Sequence, residues 1–203
     1  GLNTGGMGTI APNPLYTAEY QAECMEKIFL PTINAMQKEG RPFKGCLYFG
    51  LMLTPKGAKV IEYNCRFGDP ETQVVLPLLE TDLLDIMEAI WEEKLDTLDI
   101  KWSDKSCACV VMASGGYPEK YETGKEISGF DADGQVDADA FVYHAGTKLV
   151  DGKYLTAGGR VLGITAVGGN LREALDKAYS AVGKISFEKA HYRKDIGQRA
   201  LKG

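Results

Sequence analysis

Three polar residues occupy alternate positions in VIEYNCRF, residues 60–67: Glu62, Asn64 and Arg66. Successive side chains of a strand point to opposite faces, so these three share one face and Ile61, Tyr63, Cys65 and Phe67 share the other, which is expected to be core. Glu62 and Asn64 offer hard oxygen donors about 7 Å apart along the strand, a gap that side-chain reach closes onto one Mg²⁺. One step further, the planar fork of Arg66 can grip a phosphate. The set suits chemistry on a metal-bound phosphate. The plainer alternative is an exposed edge strand with a Glu62–Arg66 ion pair, and spacing alone leaves both readings open.

The elements that must position these residues are legible on either side. GCLYFGLMLT (45–54) and AKVIEYNCRF (58–67) are β-rich runs separated by PKG, which predicts a hairpin. The first run is nearly uncharged, which predicts a sheet covered on both faces. Gly68, Asp69 and Pro70 break the second strand, and Asp69-Pro70-Glu71 predicts a helix start with Asp69 as its cap. Upstream, residues 17–39 have helical spacing, with Thr17 as cap and a bend or restart at Pro31. A further helix is expected over 81–94, its apolar stripe at Leu83, Met87, Ile90 and Trp91.

A polar, mixed segment, LDTLDIKWSDK, then predicts a domain boundary near residue 102, dividing the chain into 1–101 and 102–203. The second part opens with the strand CACVVMA and a glycine turn. A Gly- and Asp-rich stretch follows over 124–139, then strands joined by a DGK turn and a longer strand from Arg160 to Val167. Asn170 with Glu173 predicts a capped helix. The pattern is α+β throughout.

Composition narrows the function classes. The chain has 203 residues, 44% of them hydrophobic, and a net charge of -5, with a pI near 5.2. Without a run of basic residues, neither nucleic acid nor an anionic membrane surface is expected as the main partner. No stretch reaches the roughly 20 apolar residues of a membrane helix, and GLNTGGMGTI has no apolar signal core. Five cysteines without paired metal-site spacing predict reduced thiols and a cytoplasmic protein. Because the chain opens inside a glycine-rich loop with nothing upstream to close against, it is expected to be the C-terminal part of something longer.

The string EYNCRFGDPETQ resembles the E-x-N-x-R strand of ATP-grasp enzymes, and FGDPETQ is similar to one family among them, the phosphoribosylamine–glycine ligases. NTGGMG (3–8), GLM (50–52), MASGGYP (112–118), HAGTK (144–148), GGRVL (158–162) and RKDIG (193–197) resemble motifs of that family in its order. The resemblance implies that 1–101 is the C-terminal lobe of an ATP-grasp module, a mostly antiparallel sheet with helices, and 102–203 a small α+β C-terminal domain. It implies ATP-dependent joining of glycine to 5-phosphoribosylamine, giving glycinamide ribonucleotide, ADP and phosphate, with Mg²⁺ or Mn²⁺ as cofactor. Glu62 and Asn64 would hold the metal, and Arg66 would stabilise the transferring phosphoryl group. The N-terminal half of the same enzyme would be the missing partner. Many ATP-grasp enzymes carry another acid on the neighbouring strand, where this chain has Gly50.

Other candidates are more local. The glycines of NTGGMG permit a backbone nest for an anion, and Thr4, Gly5 and Gly6 are its expected contacts. Asp69 joins them as a substrate contact implied by the family motif. Lys148 and Arg160 stand beside small residues that leave room for a ligand phosphate, Arg160 being ranked first for the ribose 5-phosphate. His144 is expected to be a packed strand residue, and Arg193 with Asp195 an anchoring pair.

Overall fold

A computed structural model of the chain describes residues 5–136 and 138–202, so Thr4 lies outside the described residues. Strand β1 (Gly8–Ala11) leads to helix α1 (Ala18–Cys24), capped by Thr17, whose hydroxyl accepts from the Tyr20 amide at 3.4 Å. Ahead of Pro31 the helix widens over Met25–Phe29 before continuing as α2 (Leu30–Lys38). There the Leu30 amide donates to the Met25 carbonyl five residues back. Proline offers no N–H and crowds the preceding turn, so the restart expected there takes the form of a π turn.

Strands β2 (Tyr48–Thr54) and β3 (Gly57–Asn64) form the expected antiparallel hairpin about a two-residue Pro55-Lys56 turn. Both strands are shorter than the sequence suggests, and Arg66 falls in the bend beyond β3. Next come α3 (Thr72–Val75) and α4 (Leu83–Trp91), the latter capped by Asp82, whose carboxylate accepts from the Leu84 amide at 2.8 Å. The remaining elements are β4 (Ser106–Ala113), β5 (Phe141–His144), β6 (Thr147–Val150), β7 (Lys153–Thr156), β8 (Arg160–Gly168), α5 (Leu171–Val182) and α6 (Gln198–Lys202). Asn170 caps α5 by accepting from the Glu173 amide at 3.0 Å, while the Glu173 carboxylate reaches back to the Gly169 amide at 2.8 Å. This is the reciprocal start anticipated from sequence.

The chain forms two compact units. One comprises the described residues of Gly1–Pro12, Asp69–Leu78 and Ser103–Gly203; the other comprises Asn13–Gly68 and Leu79–Trp102. These units cut across the single division expected near residue 102, because β1 pairs with β4 and residues 69–78 supply apolar side chains beneath the same strand.

In the first unit, β1-β4-β8-β5 form an antiparallel sheet. Alternation along β4 sorts its side chains: Val110 and Met112 join the cluster that includes Ala178 and Val182 of α5, whereas Cys107, Cys109 and Val111 pack against Met7, Val74 and Leu78. Both faces are covered, which explains why β4 carries no charge.

The second unit holds the β2–β3 hairpin, α1, α2 and α4. Here two expectations are corrected. The sheet has two strands and is not covered on both faces: Ile61 is 62% and Tyr63 50% exposed. Nor do Ile61 and Tyr63 share a face as simple alternation requires, because Glu62 pairs with Gly50 and Val60 with Leu51, leaving Ile61 as a bulge. The extra residue shifts the alternation, so Val60 rather than Ile61 joins Tyr63 and Cys65 along an apolar hollow of about 600 Å³. The stripe expected on α4 is present, Leu83, Met87, Ile90 and Trp91 all lining one hollow, but it is left uncovered, Trp91 being 78% exposed.

Candidate functional site

The strand motif sits in the second unit. Glu62 and Asn64 lie on β3 opposite Gly50 and Tyr48, and the Asn64 amide nitrogen is 3.3 Å from Glu62 Oε1. The two side chains therefore reach the same point. Glu62 folds across its partner strand where Gly50 has no side chain: a Cβ there would stand 2.8 Å from Glu62 Cγ and 3.6 Å from Oε1. Any larger residue at 50, an acid included, would displace Glu62. The glycine that stands in place of a third acid is thus coupled to the geometry of the first.

Arg66 is exposed, and its Nη1 donates to the Phe67 carbonyl at 2.7 Å. The Glu62–Arg66 ion pair of the plainer reading is not formed. Among the described residues no group of three or more His, Cys, Asp or Glu side chains could hold a metal. The donor set is instead one carboxylate and one amide oxygen, which fits a small hard cation that keeps most of its waters or takes oxygens from a phosphate.

A second constellation occupies the first unit. Arg160, the first residue of β8, donates from Nη1 to the Gly6 carbonyl at 3.2 Å and the Asp69 carbonyl at 2.9 Å. Its Nη2 meets Asp69 Oδ2 at 2.9 Å. The other carboxylate oxygen, Oδ1, accepts from the Gln73 amide at 3.1 Å. Asp69 is therefore not the helix cap expected from sequence: Glu71 takes that position, without a side-chain cap bond, and the Asp69 carboxylate is drawn to the guanidinium. With the guanidinium the carboxylate meets a full positive charge, where as a cap it would meet only a neutral amide.

Gln73 was not anticipated from sequence, although its position four residues after Asp69 in FGDPETQ is the spacing that brings side chains together on a helical turn. Its Oε1 is buried without a hydrogen-bond partner among the described residues, a defect costing about 1–3 kcal/mol. Turning the amide over would set oxygen against the Asp69 carboxylate, so the unpaired acceptor accompanies the bond to Asp69.

The remaining candidates are dispersed within this unit. Gly6 has a φ of +76° and no room for a side chain, since a Cβ would lie 2.5 Å from Arg160 Nη1. Gly5 lies in the same turn. Lys148 is exposed on β6 opposite Leu155. His144 is held at both ring nitrogens, by Thr147 Oγ1 and the Gly134 carbonyl, each at 3.0 Å, and stacks near Phe130 and Tyr154. Arg193 pairs with Asp195 through two bonds of 2.8 and 2.6 Å, while its carbonyl accepts from Tyr179. Burial pushes the Cys107 and Cys109 thiols up to about 12, so both stay protonated at neutral pH and neither is a nucleophile.

Comparison with known proteins reveals close relatives. The family model of the phosphoribosylglycinamide synthetase ATP-grasp (A) domain matches residues 1–72, and that of the phosphoribosylglycinamide synthetase C domain matches residues 107–199. A phosphoribosylamine–glycine ligase of Caldanaerobacter subterraneus subsp. tengcongensis is 54% identical over 97% of this chain and 46% of its own. One from Synechocystis is 49% identical over 99% of this chain and 48% of its own. The crystal structure of the Thermotoga maritima phosphoribosylamine–glycine ligase superposes with a TM-score of 0.79 at 35% identity, covering 97% of this chain and 47% of that one. A Campylobacter jejuni biotin carboxylase, at 12% identity and a TM-score of 0.61, shares the fold. The chain spans about half the length of the curated relatives it matches.

Proposed function

The chain belongs to the phosphoribosylglycinamide synthetase family, and from that premise we propose that it is the C-terminal half of a phosphoribosylamine–glycine ligase. In this reading residues 1–101 are the C-terminal lobe of the ATP-grasp module and 102–203 the small C-terminal domain. ATP phosphorylates the glycine carboxylate, releasing ADP. The amine of 5-phosphoribosylamine then attacks the acyl phosphate, a C–N bond forms, and phosphate leaves with the electrons of the C–O bond. The setting is purine biosynthesis in the cytoplasm.

The observation that carries the reading is the convergence of Glu62 and Asn64 opposite Gly50. These two residues would hold Mg²⁺, or Mn²⁺, which when bound would supply charge neutralisation on phosphate oxygens. Arg66 turns from the Phe67 carbonyl to the transferring phosphoryl group, placing a fixed cation where negative charge develops. Gly5, Gly6 and Asp69, with Thr4, serve the substrates, and Lys148 is the exposed cation available to the sugar phosphate.

The roles separate in a magnesium titration of the complete ligase. Glu62→Gln loses activity that added Mg²⁺ partly restores, whereas Arg66→Ala loses about 10²–10³-fold in kcat at every Mg²⁺ concentration. Identical responses of the two variants would contradict the assignment. A second reading, a metal- or phosphosugar-binding module without catalysis, rests on the exposure of the Glu62 side of β3. It predicts Mn²⁺ binding but no ADP formation even when the N-terminal half is supplied.

A further inference from the structure

We propose that Arg160 is a positioning residue: it fixes the Asp69 carboxylate and the glycine-rich loop so that Asp69 receives the amino group of a substrate. The proposal deepens the ligase reading and rests on it. Its basis is the number and direction of the guanidinium's bonds. Both hydrogens of Nη1 are spent on backbone carbonyls, those of Gly6 and Asp69, and one hydrogen of Nη2 on Asp69 Oδ2. One side chain thereby joins β8 to two segments that lie 91 and 154 positions away in sequence.

The arrangement has two consequences. First, residue 6 must lack a side chain, because a Cβ would occupy the space of Nη1. Second, the carboxylate is held at both oxygens, by Arg160 at Oδ2 and Gln73 at Oδ1, and still leaves the Asp69 side chain 47% exposed. Each carboxylate oxygen can accept a second hydrogen bond. A carboxylate so fixed and so exposed is matched to an ammonium or amine donor. Both glycine and 5-phosphoribosylamine carry one, and restricting the rotation of Asp69 lowers the cost of orienting it. Lysine could not replace Arg160, because a single ammonium on a flexible stem does not offer a planar fork to two carbonyls and a carboxylate.

Two experiments test this. In the 203-residue chain, Arg160→Ala should speed amide hydrogen exchange about tenfold at residues 5–8 and 69–73, while the α5 amides keep their rates and report that the unit remains folded. Unchanged exchange at both segments would overturn the clamp. In the complete ligase, Arg160→Ala and Asp69→Asn should each raise KM for glycine or for phosphoribosylamine about tenfold, with KM for ATP within about twofold. The double variant should be no worse than Asp69→Asn alone, and Arg160→Lys should not rescue. Which amine-bearing KM rises identifies the substrate held by Asp69. Additive effects of the two substitutions, as direct contact of Arg160 with the sugar phosphate would give, would overturn the proposal. So would a fall in Tm with unchanged kinetic constants. A wild-type ligase that forms no product would refute the ligase reading itself, and the exchange experiment would still decide the clamp.

Discussion

Strand β4 keeps its alternation along Cys107–Met112 whereas β3 breaks it at the Ile61 bulge, and their side chains also meet different fates. In β4, odd and even residues each find an apolar layer, and Cys107 through Ala113 are buried. In β3, Ile61 and Tyr63 face water, and the only buried apolar residues of that unit among the described positions are Cys24 and Ala58. Alternation sets the direction of a side chain; it does not supply the layer that covers it. One unit is thus held by its own core, while the other displays apolar surface on the hairpin, on α4 and around Met25 and Leu30.

The sharpest test of this contrast removes matching side chains from the two units. Leu162→Ala, at a fully buried position of β8, should cost about 2–5 kcal/mol in urea unfolding. Ile61→Ala, at the exposed bulge, should stay within about 0.5 kcal/mol. Equal costs would erase the distinction.

Next in size is a pair of glycines, both at positive φ. Gly6→Ala combines a left-handed backbone with displacement of the Arg160 guanidinium, for a loss of about 2–4 kcal/mol. Gly40→Ala, at φ +70° in open space in the second unit, bears the backbone penalty alone, about 1–2 kcal/mol. Thermal unfolding of both variants measures the difference, and no difference would mean that Arg160 yields freely.

Alkaline pH should weaken the first unit through its buried thiols. Cys107 and Cys109 have folded pKa values pushed up to about 12 by burial, against about 8.5 for a free thiol. Above pH ~8.5 the unfolded chain binds fewer protons than the folded one, so stability is complete below that pH and falls as pH rises toward 12. The slope is at most about 1.4 kcal/mol per pH unit for each thiol. Cys107→Ala should flatten the pH profile of unfolding between pH 9 and 11; an unchanged slope would contradict the burial argument.

The smallest effect is expected in the second unit. Gly50→Ala crowds Glu62 Cγ and should weaken Mn²⁺ binding about three- to tenfold, less than 1.4 kcal/mol, by electron paramagnetic resonance titration. Unaltered binding would show that Glu62 has room to move aside.

Local features were the legible ones. The Thr17 and Asn170 caps, the restart at Pro31 and the Pro55-Lys56 hairpin all follow from neighbouring residues and stand in the structure. Glu62 and Asn64 were readable for the same reason, being two residues apart on one strand. The bulge at Ile61 was not, because VIEYNCRF alternates without a break and the irregularity shows only in its pairing with Gly50 and Leu51. The cap expected at Asp69 does not form because the Asp69 carboxylate pairs with Arg160, 91 residues away. Local capping rules give no weight to a cation at that distance. The strand pairing of β1 with β4 likewise crosses about a hundred residues, so the composition of the first unit could not be deduced from linker chemistry.

The central claim is that this chain carries one wall of a ligase site. Its most direct test is ADP release by the purified 203-residue chain given ATP, glycine, Mg²⁺ and freshly generated 5-phosphoribosylamine, repeated with the N-terminal half of a relative supplied in trans. Because positioning and preorganised charge supply most of the rate in phosphoryl transfer, the account predicts no ADP above background from the chain alone. It predicts ADP together with glycinamide ribonucleotide when both halves are present. ADP formation by the isolated chain at an enzyme-like rate, about 1 s⁻¹ or faster, would contradict it.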